Sequence, residues 1–427
     1  MRIADRSSRS GYLWRRRDMQ RAAGIPQGVL LISMAWLAPI GSTLFAPVLP
    51  QIIQHFSSVA NASLLAPIAL VTPALFVALL APLAGILADR IGRKTLLFYS
   101  MLFYAIAGVM PAWLDSLYTI IASRVVVGIA EAGVMTAGTA LICDYFAGER
   151  RAHWLSLQFG SASFVATVCF VLAGFLGGYG WRVPFLVYGA TALFIPLILM
   201  VLFEPSRTTT SNRPADMPAD TQEAEGRLFN TRFIVCLVLT MICGMLFYVM
   251  PVHVSLLLAE RGIVEPSVLG LASAAGSFGV VAGTLLFRSQ ARRSIGVLLS
   301  AAMMLQGIGF ILLYTQASLM GGIVGMFINN IGCGISLPLV LAFTMARLPD
   351  AYRGRASGIW TSMFFIGQFI CPLVVGAVSA ASGGMIGAMA GFAAFTLLGA
   401  GVFAIWSIFG MALKEPVTIK RELVGLH

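Results

Sequence analysis

The chain has 427 residues, of which 59% are hydrophobic and only 11% charged, with a formal net charge of +11. A soluble protein of this length carries roughly 25% charged residues, so a water-exposed globular fold is excluded. The basic excess would suit nucleic acid, but its Lys and Arg residues fall in short gaps between long apolar runs, which points to a membrane instead.

The first 27 residues form an Arg-rich tail with no short apolar stretch ending in a cleavage site, as a retained cytoplasmic tail would. Apolar runs then begin near Gly28, Ala62, Thr95, Leu117, Leu155 and Val183. A polar stretch, 204–232, reads EPSRTTTSNRPADMPADTQEAEGRLFNTR and is too rich in Pro, Ser, Thr and charge to fold alone. Further apolar runs begin near Phe233, Ser267, Ser294, Leu319, Ala356 and Ile386. A hydrocarbon layer about 30 Å thick needs about 20 apolar residues per helix, so these runs predict an all-α integral membrane protein with twelve transmembrane helices. The expected organisation is a tail (1–27), a first bundle (28–203), a linker (204–232), a second bundle (233–411) and a tail (412–427).

Almost every Lys and Arg lies in a tail or in an even-numbered gap: Arg90, Arg93 and Lys94, then Arg150 and Arg151, then the linker, then Arg288, Arg292 and Arg293, then Arg347, Arg353 and Arg355. The odd-numbered gaps hold Arg182 and Arg261. Positive loops stay inside, so both termini are expected in the cytoplasm, and the location expected is a bacterial inner membrane. The six cysteines lie in or beside apolar runs without a CxxC pair and read as packing residues.

The halves echo one another. AGFLGG (Ala173–Gly178) is matched by CPLVVG (Cys371–Gly376), ERRAHWLS by YRGRASG, and Gly85 with its basic cluster by Gly283 with Arg288, Arg292 and Arg293. Two six-helix pseudo-repeats are a recurrent transporter plan, with the substrate site between them near the midplane.

GILADRIGRKTLL, after the second run, resembles the loop signature of the major facilitator superfamily: Gly85, Leu87, Ala88, Asp89, Arg90, Gly92, Arg93 and Lys94 match it. RVVVGIAEAG (Arg124–Gly133) resembles the fourth-span motif of that superfamily, and GWRVPF and LPDAYRGRASG are also typical. The resemblance covers essentially the whole chain. It implies that Gly85, Asp89, Arg90, Gly92, Arg93 and Lys94 form a cytoplasmic latch, remade as the halves rock. A simple positive-inside anchor would explain the basic residues but not Asp89 or the glycines. Gly85 allows close helix approach, Gly92 a tight turn, and Asp89 can meet a helix N-terminus.

Ionisable groups inside a bilayer are costly, so each is a candidate functional group. Arg124 and Glu131 lie in the fourth run, seven residues apart, on about one helix face but roughly 10 Å apart along the axis, too far for a direct pair. Glu131 can load and release a proton as access alternates, and Arg124 can favour its charged form or hold an anionic substrate. His253, after Pro251, is a further proton-coupling candidate. Tyr248, Asn329 and Gln368, with Arg124, are candidates for the substrate cavity; Gln158, Gln306 and Asn330 are other polar groups within runs. The first run carries three prolines and no acid, which shifts the proton role to Glu131.

Exporters of the superfamily tend to carry G-x6-G-x3-GP-x2-GG in the fifth span. Here the aligned residues are Ala162, Cys169, Ala173, Gly174, Gly177 and Gly178, small throughout but without the proline. The expectation is proton-coupled export of a small amphipathic or drug-like molecule. The rivals are proton-coupled uptake of a small organic anion held by Arg124, and a sensor or scaffold that does not transport. No nucleotide, metal or nucleophile motif suggests an enzyme, a cofactor or a nucleic-acid partner; the expected partners are substrate, protons and lipid, around a monomer.

Overall fold

The computed structural model describes residues 23–205, 231–290, 293–346, 348 and 350–408. Both tails beyond these limits and most of the predicted linker lie outside the described residues. Among the described residues the chain is helical without strands, and twelve helices are long and apolar enough to cross a membrane. They are α1 (Ile25–His55), α2 (Ala62–Ile91), α3 (Arg93–Ala112), α4 (Leu117–Tyr145), α5 (Gly148–Gly177) and α6 (Val183–Val201) in the first half. The second half holds α7 (Thr231–Glu260), α8 (Pro266–Gln290), α9 (Ile295–Thr315), α10 (Leu319–Ala346), α11 (Asp350–Ser382) and α12 (Met385–Ile408).

Helix boundaries depart from the sequence reading where polar residues extend a span. α5 starts at Gly148 and α11 at Asp350, so the charged segments GERRAHW and DAYRGR are helical turns beyond the apolar run. At the linker, Thr231 and Arg232 already belong to α7. α1 is broken into Ile25–Met34, Leu37–Thr43, a tight turn at Ala46–Val48 and Leu49–His55. Pro39, Pro47 and Pro50 explain this, because each removes a backbone donor from the ladder.

The halves repeat one packing plan. α2 and α3 pack on α4, and α8 and α9 pack on α10; α3 meets α6 as α9 meets α12. Gly85 faces Thr136 on α4, and its echo Gly283 lies against Ile331 and Gly334 on α10. The halves meet through α2–α11, α5–α8 and α1–α7. With little hydrophobic drive between helices in lipid, small residues provide this contact by letting backbones approach. A β carbon on Gly270 of α8 would stand 2.4 Å from the Phe170 carbonyl oxygen and 2.8 Å from Gly174 Cα on α5.

These contacts between halves run from the end away from the Arg90–Lys94 loop to mid-depth. They include Gly177 against Pro266, Gly174 against Gly270, Thr167 against Ser277 (Oγ1 to Oγ, 3.0 Å), Gly376 against Leu64, and the Ser362 hydroxyl donating to the Ala78 carbonyl at 3.0 Å. Towards the basic end the helices part: a methyl added at Gly160 on α5 or Gly358 on α11 would meet nothing within 4 Å. The bundle is thus closed at its far end and open at its basic end.

Candidate functional site

Arg124 is 0% exposed. A buried guanidinium must have its donors satisfied, and groups of the first half supply the partners. Its Nη1 donates to the Tyr188 hydroxyl at 2.9 Å, and Nη2 donates to the carbonyls of Ala107 and Gly108 at 3.0 and 3.1 Å. The rings of Tyr188, Phe45 and Phe185 lie 5.0, 5.7 and 5.7 Å from the guanidinium carbon. Arg124 therefore ties α4 to the carbonyls near the end of α3 and to α6. The expectation that it lines a substrate cavity is not met here, because no side of the guanidinium is open.

Glu131, two turns along α4, is 4% exposed. The missing side chain of Gly41 lets the middle piece of α1 reach it. A β carbon on Gly41 would stand 3.4 Å from Glu131 Oε2, 3.8 Å from the Tyr104 hydroxyl and 3.9 Å from the Tyr188 hydroxyl. Carboxyl and phenols thus converge on one backbone position. Among the described residues no ion pair joins Glu131 to Arg124, as their spacing predicted.

Tyr248 on α7 comes to the same place from the other half. It is half-buried, packs against the apolar cores of both halves, and its hydroxyl faces Ser42 of α1. Of the candidate cavity residues it is the one placed at the contact between halves beside Glu131. Asn329 is fully buried and turned away, with its amide donating to the Gln306 carbonyl of α9 at 3.2 Å and its Oδ1 facing Cys333. Asn330 donates to the Gly276 carbonyl of α8 at 3.0 Å. Both amides fasten seams inside the second half, where a polar group in a helix interface must find a partner. Gln368 is buried on α11, and its Oε1 has no hydrogen-bond partner among the described residues. His253 is buried with Nδ1 4.0 Å from Cys371 Sγ, a contact between α7 and α11.

The loop cluster is organised around Gly92, whose φ of 100° a side chain would strain. This turn starts α3 with its first N–H groups exposed, and the Glu204 carboxylate accepts them. Arg93 N–H donates to Oε1 at 2.6 Å and Lys94 N–H to Oε2 at 2.9 Å. A carboxylate there also meets the positive end of the helix dipole. Lys94 Nζ donates to the carbonyls of Leu199 and Leu202 at 3.0 and 2.6 Å. Arg93 pairs with Asp144, donates to the Ala140 carbonyl at 3.2 Å and lies 3.6 Å from Asp89. The Tyr145 hydroxyl donates to the Phe203 carbonyl and accepts from Phe203 N–H, and the two rings stack. The contacts of Arg93 and Lys94 stay inside the first half and clamp the α2–α3 hairpin to the ends of α4 and α6. Arg90 and Asp89 are exposed at the open end, the Asp89 side chain 72% so.

Sequence reasoning missed Glu204, Tyr188 and Tyr104. Glu204 opened a segment read as linker. The tyrosines lay among many aromatic residues, and their only signal was a phenol in an apolar run, which needs a partner when buried.

Broken or proline-bearing helices that meet beside a buried acid, within two six-helix bundles repeating one packing plan, form a transporter arrangement, and the sequence decides which. The profile of the Major Facilitator Superfamily matches residues 31–372. The chain belongs to this superfamily. It is a multi-pass membrane transporter, not an enzyme. The bacillibactin exporter of Bacillus subtilis (strain 168) is 25% identical over 374 residues, 82% of this chain and 89% of that protein. The quinolone resistance protein NorA of Staphylococcus aureus (strain MSSA476) is 24% identical over 307 residues, 70% of this chain and 77% of that protein. Among solved structures, a bacterial homolog to the human lysosomal transporter Spinster, inward-facing and unoccupied, superposes with a TM-score of 0.73 at 19% identity, over 90% of this chain and 96% of that one. That likeness establishes the superfamily fold for this chain.

Proposed function

We propose that this superfamily member is a proton-coupled exporter of small amphipathic molecules, cationic or neutral, working by alternating access. The observation that carries this reading is the asymmetry of the two buried charges. Arg124 is consumed by Tyr188, two carbonyls and three aromatic rings. Glu131 has no cation paired to it among the described residues and lies beside Tyr248, at the contact between the halves. A buried acid without a paired cation can exchange its proton, and its charged form attracts a cation more than an anion. The rival reading, uptake of an organic anion held by Arg124, asks for a donor that the packing has already used.

That one relative is named an exporter and the other a resistance protein supports export, as do the small residues at 162, 169, 173, 174, 177 and 178. The basic residues at one end support placing that end, with both termini, in the cytoplasm of a bacterial inner membrane. The open end then faces the cytoplasm, ready to take a compound from inside.

Proteoliposomes holding a pH-sensitive dye test the proposal with ethidium and a panel of amphipathic cations and neutral compounds. Compound and protons are expected to move in opposite directions, and Glu131→Gln is expected to reduce both movements to background. Movement of compound and protons together, or proton movement undiminished in Glu131→Gln, would sink it.

A further inference from the structure

The middle piece of α1, Leu37–Thr43, is separated from the rest of its helix by breaks on both sides. Two buried phenols hold it in place. The Tyr104 hydroxyl donates to the Leu37 carbonyl at 2.6 Å, and the Tyr188 hydroxyl donates to the Gly41 carbonyl at 3.1 Å. Their rings lie 5.4 Å apart. Only the Tyr188 hydroxyl has, besides, a charged donor: Arg124 Nη1 at 2.9 Å. A hydroxyl has one hydrogen to give and lone pairs to receive with, and this one uses both functions, taking a bond from the guanidinium and passing one to the backbone. Such chains polarise one another in a low-dielectric interior.

We infer that Tyr188 is the positioning residue of the proton site: through its hydroxyl, Arg124 sets the middle piece of α1 against the Glu131 carboxyl. The inference rests on the reading of Glu131 as the proton carrier. Gly41 is the point where the two meet, with Tyr188 bound to its carbonyl and Glu131 Oε2 facing its Cα. The next residue, Ser42, faces Tyr248 of the opposite half. The piece of backbone that Tyr188 holds is therefore also the piece through which a change at Glu131 reaches α7. The titratable and charged groups around Glu131 are Arg124 on α4, Tyr104 on α3, Cys169 on α5, Tyr188 on α6 and Tyr248 on α7. α1 before His55 and α2 before Asp89 bring no titratable side chain.

The test follows protonation directly and needs no substrate. Infrared difference spectra of the full chain in liposomes, recorded across pH, report the carboxylic acid C=O stretch, and the part lost in Glu131→Gln belongs to Glu131. Tyr188→Phe keeps the ring but removes both hydrogen bonds, and it is expected to move the midpoint of that band by about one pH unit or more. Gly41→Ala is a second probe, should the Phe variant not fold. Its methyl makes only ordinary contacts, the nearest 3.4 Å from Glu131 Oε2, yet stands between the carboxyl and the two phenols, and it too is expected to move the midpoint. A purely structural role for Tyr188 would lower thermal stability and leave the midpoint where it is; that result in either folded variant overturns the inference. If no titrating band is lost in Glu131→Gln, the reading of Glu131 fails first, and the inference goes with it.

Discussion

At the depth where α4 carries Glu131, counted from the helix start, α10 carries Cys333, and where α4 carries Arg124, α10 carries Met326. The two bundles share a packing plan, but their buried polar groups differ in kind. The first half holds a guanidinium, a carboxyl and two phenols spread over α3, α4 and α6, converging on α1. The second half holds neutral amides and one imidazole that fasten helix seams. Proton chemistry needs a group whose charge can change at small cost in structure, and fold-holding needs groups that stay bonded throughout. If Glu131 carries the proton as proposed, the first half carries the energy coupling and the second moves against it as a firm body, with Tyr248 as the contact that senses the difference.

Removing the central charge of the first half should have the largest effect. Arg124→Met leaves Tyr188 and two carbonyls without their donor, and since each buried orphan costs about 1–3 kcal/mol, the loss should reach about 3 kcal/mol or more. The thermal midpoint of the purified protein checks this; a midpoint equal to that of the parent chain would mean Arg124 is not the hub of its bundle. In the second half, Asn329→Ala removes one interhelical amide bond, a change worth about 0.6 kcal/mol on average in membrane proteins. If the two substitutions cost the same, the contrast between the halves is wrong.

The seam between the halves comes next. Gly270→Ala puts a β carbon where the Phe170 carbonyl oxygen lies 2.4 Å away when the far end is closed, without touching the core of either bundle. Overpacking of this kind costs about 1–3 kcal/mol, charged to the closed form alone, so transport should fall about tenfold while folded yield holds. Unchanged transport would show that this contact loosens before the halves rock.

A smaller effect is expected at the basic end. Glu204→Gln keeps the shape of the carboxylate but not its charge at the start of α3, which should cost about 1 kcal/mol. Gly92→Ala should cost more, about 1–2 kcal/mol, because of its left-handed backbone. Thermal melts of both variants decide the order, and a larger loss in Glu204→Gln would reverse this account of the turn.

These sites also show what could be read from the residues alone. The helix count and the pairing of the halves were legible because a bilayer imposes a length and a charge pattern that composition records directly. The shared face of Arg124 and Glu131, and their separation, followed from helical geometry. Their partners did not, since those come from α1, α3 and α6, and nothing in a run such as FYSMLFYAIAG distinguishes a phenol that binds a carbonyl from one that faces lipid. Tyr104, which is buried, and Tyr99, which is exposed, look alike in sequence. Glu204 was hidden for the opposite reason: it belongs to a polar segment by composition, but to the start of α3 by hydrogen bonding.

His253 gives the smallest expected effect and a sharp test of the contrast. By residue type it was a further proton-coupling candidate beside Glu131. The structure places it in the second half, buried, with Cys371 Sγ 4.0 Å from Nδ1 and no acid paired to it among the described residues. An imidazole there serves as a packing group between α7 and α11, and the weak contact it makes with Cys371 is worth a few tenths of a kcal/mol, on the order of other interhelical polar contacts. His253→Gln should therefore leave compound-driven proton movement within about twofold of the parent chain, the change those few tenths allow, while Glu131→Gln removes it. If His253→Gln abolishes proton movement in folded protein, coupling runs through both halves and the second bundle is not the passive one.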